Sequence, residues 1–214
     1  RLDEHLSPGS IGLAFDGDGD RMLIRTVAAP PLTKGGQGGV MNGFTIDGDA
    51  LLYLFAKYLC PSDPVIGTVM SNGALAAAME KLNREFFRAP VGDREVFDAM
   101  ESRGAQVGGE QSGHIIFREF QRTGDGAVTA LAFLKIFAER FDESIDALLR
   151  DLPEPFPQKL VNVRVIEKRP WEDDAEIVRA VNASKEKLGR HGRLVIRYSG
   201  TEPLLRLMAE APCA

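Results

Sequence analysis

Residues 11–21 read IGLAFDGDGDR, an apolar run followed at once by three aspartates that alternate with glycine. Two carboxylates about 4 Å apart repel each other by roughly 4 kcal/mol at an effective dielectric constant of about 20, so three in a small space require a cation. The intervening glycines allow a turn tight enough to direct Asp16, Asp18 and Asp20 at one point. Hard oxygen ligands of this kind favour Mg²⁺ or Ca²⁺ over zinc or copper. The run therefore predicts a metal site, and Arg21 adds a group that attracts anions.

Other interpretations of this run can be weighed from the residues themselves. A plain surface turn rich in Asp and Gly rarely follows an apolar strand directly and rarely alternates so strictly. An EF-hand needs Gly at the sixth loop position and Glu at the twelfth, where this chain has Arg21 and Val27. A phosphatase with Asp16 as its nucleophile stays open as the enzymatic rival. Asp20 argues against it, because such enzymes usually carry Thr or Val there.

The composition is that of an ordinary soluble globular protein. The chain has 214 residues, 44% of them hydrophobic and 27% charged, with a net charge of −5. This size favours two or more small domains, and the acidic balance argues against nucleic acid or a membrane surface as the main partner. Cys60 and Cys213 lie far apart and outside any metal-like spacing. We therefore expect two free thiols in a reducing cytoplasm.

The order of strands and helices predicts an α/β protein with a small α+β domain at its end. We expect three parts: residues 1–62, the C-terminal part of a metal-binding α/β domain; residues 63–152, a sugar-binding α/β domain; and residues 158–214, a phosphate-binding α+β domain. The proline-rich residues 152–157 form a stiff linker, and the glycine-rich residues 28–43 a loop or hairpin tip. A strand at 11–15 has too little before it to make its own sheet. We therefore expect the chain to be the later part of a longer polypeptide.

The hydrophobic periodicity predicts the individual elements. Strands are expected at 11–15, 22–27, 65–70, 86–91, 106–108, 114–120, 160–166, 193–197 and 204–210. Helices are expected from 47 to about 60, from 72 through 82, and at 93–103, 127–141, 144–149 and 171–188. In the first helix the apolar positions fall on one face. In the helix at 127–141 the predicted buried residues are Val128, Leu131, Phe133, Leu134 and Phe137.

A second candidate loop lies between the last two predicted strands. Residues 197–203 read RYSGTEP, and Arg206 follows shortly after. A Ser-Gly-Thr turn offers two hydroxyls and consecutive backbone N–H groups, which together form an anion-binding nest. Arg197 and Arg206 can supply forked donors that match phosphate oxygens. A plain hairpin turn with surface arginines is the alternative, because Ser-Gly turns are frequent.

A third candidate loop reads GEQSGH at residues 109–114. Glu110, Gln111 and Ser112 combine donors and acceptors that suit sugar hydroxyls or an amine. His114 could move a proton at neutral pH, although a lone histidine at the start of a strand is more often structural. A phosphorylated sugar needs a metal loop, a polyol-binding loop and a phosphate loop together, and a cleft between domains is where such ligands usually bind.

Four stretches in this order resemble the α-D-phosphohexomutase superfamily over nearly the whole chain. They are residues 16–21, residues 109–114, residues 123–126 (TGDG) and residues 197–203. The resemblance implies a multi-domain fold with mixed-sheet α/β domains followed by a small α+β domain. Residues 91–94 (VGDR) and the Glu-Gln-Ser form of the sugar loop are most similar to the bacterial phosphoglucosamine mutases. Phosphomannomutases and phosphoglucomutases of the same superfamily remain the alternative, as does a non-catalytic protein that binds sugar phosphates.

The resemblance implies an isomerase that interconverts glucosamine 6-phosphate and glucosamine 1-phosphate, on the route to UDP-N-acetylglucosamine. The reaction runs through a phosphoserine and a bisphosphorylated sugar, with Mg²⁺ and a hexose bisphosphate activator. Because the serine-bearing domain is not in this sequence, we expect the chain to be inactive alone. The implied partner is a phosphosugar substrate, and a homodimer stays open.

The same resemblance assigns roles to individual residues. Asp16, Asp18 and Asp20 match the metal ligands, whose ion neutralises charge on the transferring group. Arg21 and His114 match catalytic positions, the first beside the reacting phosphate and the second as a proton-transfer residue. Glu110 and Ser112 match residues that bind sugar hydroxyls. The residues that match the clamp on the non-reacting phosphate are Arg197, Ser199, Gly200, Thr201 and Arg206.

Overall fold

The computed structural model describes residues 6–7, 10–27, 43–190 and 192–212. The predicted glycine-rich loop therefore lies outside the described residues from position 28 to 42, as does Cys213. Within the described ranges, no helix has both the length and the apolar character needed to cross a membrane. Cys60 is a free thiol whose pKa is raised to about 11 by burial and by the nearby charges of Asp63 and Glu119.

The chain divides into two compact units, each of which is described by itself. The first unit contains residues 1–71 and 75–153, and the second contains residues 72–74 and 154–214. The predicted parts 1–62 and 63–152 both fall in the first unit, while the predicted part 158–214 falls in the second. The division at residues 62 and 63 stays a prediction.

A three-stranded antiparallel sheet begins the first unit. Its strands are β1 (Ile11–Phe15), β2 (Met22–Val27) and β3 (Gly43–Ile46), in the order β1-β2-β3. Our expectation that β1 could form no sheet from this chain is wrong, because β2 pairs with it along its whole length. Phe15 lies opposite Met22 in that ladder, so the aspartate-rich loop is the tip of a hairpin. The sequence did not predict β3, which directly follows the glycine-rich segment.

A mixed four-stranded sheet forms the rest of the first unit. Its order is β5-β4-β6-β7, and β4 runs parallel to β5 and β6 while β7 returns antiparallel to β6. Parallel neighbours need a crossover connection, which helices supply here. This mixed α/β layer confirms the predicted fold class. The strands are β4 (Val65–Thr68), β5 (Phe86–Ala89), β6 (Val107–Gly109) and β7 (Ile115–Phe117), and the helices of this part of the chain are α1 (Gly48–Tyr58), α2 (Gly73–Lys81), α3 (Asp93–Arg103), α4 (Gly126–Glu139) and α5 (Ile145–Leu148).

The helix α1 is buried on all sides from Gly48 to Ala56. The prediction of a single apolar face was therefore wrong. The physical reason is that α1 packs against β3, β4, β6 and α4, so that strands of both sheets and a second helix cover it. The centre of the first unit is thus a helix whose N-terminus is held in place from several directions.

The buried face of α4 also differs from its prediction. Leu131 and Leu134 are 68% and 44% exposed, although both were expected in the core. The buried positions include Thr129, Phe133 and Ile136. These residues recur at intervals of three to four and therefore share one helix face. Leu131 and Leu134 lie off that face.

The second unit is a small α+β domain, as predicted. Its antiparallel strands β8 (Gln158–Arg164), β9 (Arg193–Tyr198) and β10 (Leu204–Glu210) are arranged in the order β8-β10-β9. The helix expected from Trp171 starts later, as α6 (Ala175–Leu188) after a short 3₁₀ turn. The Asp174 side chain accepts hydrogen bonds from the first free N–H groups of α6, which makes it the N-cap.

Candidate functional site

The three aspartates of the hairpin tip converge as their spacing predicts. One carboxylate oxygen from each of Asp16, Asp18 and Asp20 lies within 4.8 Å of the others. The Arg21 backbone N–H donates to Oδ1 of Asp16 at 3.2 Å. The Arg21 guanidinium Nε lies 3.6 Å from Oδ2 of Asp16 and 3.8 Å from Oδ1 of Asp20. The predicted metal ligands and the predicted anion-binding arginine therefore occupy one small region.

The electrostatics of this loop favour a bound cation. Burial raises the pKa of Asp20, and the hydrogen bond to Asp16 and the charges of Asp16 and Asp18 raise it further. For Asp16 the effect of burial is outweighed by hydrogen bonds, chiefly from the Arg21 backbone, and its pKa is lowered. Among the described residues, Oδ1 of Asp20 is a buried oxygen without a hydrogen-bond partner. An oxygen in that state is costly unless an ion or water binds it, so the donor set fits Mg²⁺ or Ca²⁺.

His114 lies against the aspartate-rich loop. The residue precedes β7 and forms an isolated antiparallel bridge with Arg21, and the Met22 N–H donates to the Gly113 carbonyl at 3.1 Å. The His114 side chain is buried, with 2% of the residue exposed. Its Nε2 atom lies 3.4 Å from Oδ2 of Asp20. The predicted proton-transfer residue is therefore enclosed by protein, and that role stays a prediction.

Asp93 and Thr123 also reach this histidine, although the sequence analysis gave neither a role. Oδ2 of Asp93 lies 3.1 Å from Nε2 of His114 and accepts a hydrogen bond from the Thr123 hydroxyl at 2.9 Å. The Gly124 N–H points at the same Nε2 atom at 3.2 Å. The available signal was that both residues lie in stretches that carried the family resemblance, VGDR and TGDG.

The TGDG turn joins the same cluster to α4. The Gly126 N–H donates to the Gly19 carbonyl of the aspartate-rich loop at 2.9 Å. Asp125 caps α4 by accepting the Val128 N–H at 2.9 Å. A Cβ atom on Gly124 would lie 2.6 Å from the His114 ring, so only glycine permits this close approach. The turn thus fixes both the histidine and the hairpin tip.

The predicted sugar loop is a tight turn between β6 and β7. Glu110 accepts the Gly92 N–H at Oε1 (3.0 Å) and the Ser112 hydroxyl at Oε2 (3.3 Å). The Gly48 N–H donates to the Gln111 carbonyl at 3.0 Å, which attaches the loop to the start of α1. A Cβ atom on Gly48 would lie 1.9 Å from the Glu110 carbonyl oxygen, so this contact requires glycine. Glu110 and Ser112 are therefore held beside each other on a firmly anchored turn.

The predicted phosphate loop lies in the second unit, between β9 and β10. Arg197 and Arg206 are directly opposite each other in the antiparallel ladder and share one face of the sheet. Like charges in that position repel each other. The Glu202 carboxylate forms an ion pair with Arg206 and offsets part of this repulsion. A bound anion would offset the remainder.

The loop residues between these arginines play different structural parts. Ser199 is buried, and its hydroxyl oxygen accepts the Glu202 N–H at 3.3 Å, so it stabilises the turn from within. Gly200 and Thr201 are exposed. The predicted binding roles of these three residues stay predictions, but only the last two present themselves to solvent.

Family comparisons cover most of the chain. The model described as "Phosphoglucomutase/phosphomannomutase, alpha/beta/alpha domain III" matches residues 47–156. The model described as "Phosphoglucomutase/phosphomannomutase, C-terminal domain" matches residues 160–214. The first of these includes α1 and the predicted sugar loop, and the second includes the predicted phosphate loop.

Individual relatives agree with the family models. The chain is 40% identical to a phosphoglucosamine mutase of Desulfovibrio desulfuricans over 205 residues, which cover 94% of this chain and 42% of that protein. It is 39% identical to a phosphoglucosamine mutase of Anoxybacillus flavithermus, with 94% and 43% covered. The chain thus spans less than half the length of these relatives.

One solved structure shows the same fold at low sequence identity. The Aspergillus fumigatus N-acetylphosphoglucosamine mutase, in complex with GlcNAc-6P and magnesium, superposes with a TM-score of 0.74 at 20% identity. The match covers 97% of this chain and 50% of that chain.

Proposed function

Since this chain belongs to the phosphoglucomutase/phosphomannomutase family, we propose that it serves the interconversion of glucosamine 6-phosphate and glucosamine 1-phosphate. The preference for glucosamine rests on relatives of about 40% identity that are named phosphoglucosamine mutase. Because the chain spans about 42% of their length, the reaction is proposed for a longer protein that includes these two units. We expect the phosphoryl donor, a phosphoserine, to lie outside these 214 residues.

The observation that carries this proposal is the convergence of three carboxylates on the buried, unpartnered Oδ1 of Asp20. Asp16, Asp18 and Asp20 would hold Mg²⁺, which supplies electrostatic neutralisation of a transferring phosphoryl group. The Arg21 guanidinium beside them attracts the same group. A metal site next to an arginine suits a phosphoryl transfer better than a structural metal.

The sugar loop would give the amine preference. Glu110 presents a carboxylate, which forms stronger hydrogen bonds with the ammonium group of glucosamine than with a hydroxyl. The adjacent Ser112 hydroxyl is exposed and can bind a neighbouring sugar oxygen. Burial of His114 favours a positioning role for its ring, which touches Asp20 and Asp93.

The loop at residues 197–206 would hold the phosphate that does not react. Arg197 and Arg206 lie opposite each other, and Gly200 and Thr201 expose the turn between them. Binding a remote phosphate positions the reacting end of the sugar, so its loss lowers turnover as well as affinity. The same loop must accept either phosphate, because the sugar binds in two orientations during the reaction.

Calorimetric titration of this chain tests the proposal. Glucosamine 6-phosphate, glucose 6-phosphate and mannose 6-phosphate are titrated in the presence of Mg²⁺. We expect the tightest binding for glucosamine 6-phosphate, and we expect Glu110→Gln to abolish that preference. Glu101→Gln, which removes the same charge from the exposed side of α3, is the matched control.

The outcomes separate the alternatives. Tighter binding of glucose or mannose 6-phosphate would keep the family function and move the specificity. Failure to bind any of the three would contradict the proposal. Phosphorus NMR of the chain with glucosamine 6-phosphate should show neither glucosamine 1-phosphate nor free phosphate. Release of free phosphate would instead support the phosphatase alternative, with Asp16 as nucleophile.

A further inference from the structure

A lysine that has no role in the site described above lies directly behind the phosphate loop. The Lys168 ammonium donates to the Ser199 carbonyl oxygen at 2.6 Å and lies 3.3 Å from the Gly200 carbonyl oxygen, which also accepts from it. Lys168 follows β8 and precedes the 3₁₀ turn of the second unit. One side chain thus binds two consecutive peptide groups of the loop.

These two contacts fix the direction of two backbone N–H groups. In a planar trans peptide the C=O of one residue and the N–H of the next point in opposite directions. The carbonyls of Ser199 and Gly200 point at Lys168, so the N–H groups of Gly200 and Thr201 point away from it, on the same side. Within the part of the chain that the structure describes, neither N–H donates a hydrogen bond to the protein. Consecutive N–H groups in this arrangement form a concave binding site for an anion.

The segment that carries Lys168 is itself attached to the loop. The Tyr198 hydroxyl donates to the carbonyl of Arg169, the next residue after Lys168. On the other side, the Val165 N–H donates to the Pro203 carbonyl at 2.9 Å. The segment from Val165 to Arg169 is therefore joined to the loop at both of its ends, which keeps the ammonium group in reach of the two carbonyls.

We infer that Lys168 is a positioning residue for phosphate binding: it holds the Ser199 and Gly200 carbonyls so that the Gly200 and Thr201 N–H groups receive the phosphate of a phosphorylated sugar. Its positive charge polarises both peptide groups and adds to the attraction of Arg197 and Arg206 for the anion. This inference rests on the proposed function, because it assumes that the loop binds phosphate.

The test uses the whole chain, labelled with ¹⁵N, and inorganic phosphate as the probe. In the natural sequence, titration with phosphate should move the amide signals of Gly200 and Thr201. Lys168→Met keeps the length of the side chain but removes its donors, and should weaken binding about ten-fold, the usual scale for loss of a hydrogen bond to a charged group. Lys168→Arg restores donors and charge and should bind within about three-fold of the natural chain. Lys187→Met, on the exposed side of α6, removes the same charge away from the loop and should leave affinity unchanged.

Each result has one meaning for the inference. Lys168→Met with unchanged affinity and unchanged movement of the two amide signals would overturn the role of Lys168 and leave the phosphate loop intact. An equal loss in Lys187→Met would overturn it as well, because net charge would then explain the effect. Absence of any phosphate response at Gly200 and Thr201 in the natural chain would overturn the phosphate loop of the proposed function, and this inference with it. Since Lys168 is exposed, neither of its variants should alter the thermal unfolding of the chain by more than a small amount.

Discussion

The Nε2 atom of His114 lies 3.4 Å from Oδ2 of Asp20, so the histidine of one loop is in contact with an aspartate of another. His114 is not among the three residues whose oxygens converge. It occupies the adjacent shell, where it can orient Asp20 without binding the metal itself. A change in the charge of the aspartate-rich loop must therefore alter the surroundings of the imidazole ring.

This contact predicts that Mg²⁺ binding is visible at His114. Addition of Mg²⁺ should shift the imidazole ¹⁵N resonances of His114, because the ion withdraws charge from the carboxylate that faces Nε2. Long-range ¹H–¹⁵N NMR of the imidazole rings measures the effect. Asp20→Asn should suppress it. Binding of Mg²⁺ by calorimetry with an unmoved His114 signal would contradict the placement of the ion beside Asp20.

Asp18→Asn should separate metal binding from folding. The substitution removes one of three mutually repelling carboxylates, so without metal the melting temperature should stay equal or rise. In the natural chain, Mg²⁺ at about 100 times its Kd should add about 2.7 kcal/mol of stability. Asp18→Asn should lose most of that gain in a thermal-shift titration. Asp142→Asn, an exposed change of the same charge, is the control and should retain the full gain; equal gains in both variants would exclude Asp18 as a ligand.

The convergence of the three aspartates could be predicted because it is local. Alternation with glycine within six residues is enough to bring Asp16, Asp18 and Asp20 together. The contact between Asp20 and His114 could not be predicted in the same way. It depends on the bridge that sets Arg21 beside His114, which is a tertiary arrangement that no local pattern encodes.

The errors in the predicted core have the same origin. Periodicity shows that α4 has an apolar side, but neighbouring elements decide which residues are covered, and Leu131 and Leu134 were wrongly placed inside. In α1 the same reasoning underestimated burial, because strands of both sheets and α4 surround the helix. Local sequence thus located these helices and left their orientation to tertiary packing.

Gly48→Ala should disrupt the sugar loop. Its Cβ atom would lie 1.9 Å from the Glu110 carbonyl oxygen and 2.8 Å from the Gly113 nitrogen, both of which are backbone atoms. Alanine is the better helix former by about 1 kcal/mol, so any destabilisation must come from this overlap. Overpacking of this kind typically costs about 1–3 kcal/mol, measured here by urea unfolding.

Gly17→Ala is the matched control for this substitution. A Cβ atom at Gly17 would meet nothing within 4 Å, so the variant should unfold like the natural chain. Gly48→Ala with unchanged or increased stability would contradict the observed approach of α1 to the sugar loop.

Glu210 predicts a pH dependence for the second unit. Its carboxylate is 1% exposed and accepts hydrogen bonds from Arg193 Nε (2.7 Å), Gln158 Nε2 (2.7 Å) and the Gly73 N–H (3.1 Å). Burial alone would raise the pKa of Glu210, but these donors, Arg193 first, outweigh it and lower the pKa. A lowered folded-state pKa gives stability that is present above the unfolded pKa of about 4.3 and is lost as the pH falls through the folded value.

Glu210→Gln should therefore be destabilising at pH 7 and progressively less so in acid. At neutral pH the variant leaves the Arg193 guanidinium without its carboxylate, which should cost about 1–3 kcal/mol. Below about pH 4 the natural carboxyl becomes protonated as well, so the two proteins should converge in their free energies of unfolding. Urea unfolding at pH 7, 5 and 3.5 measures the difference. Glu186→Gln, on the exposed side of α6, should unfold like the natural chain at every pH. A difference for Glu210→Gln that stays constant from pH 7 to 3.5 would show that the carboxylate charge contributes nothing to this network.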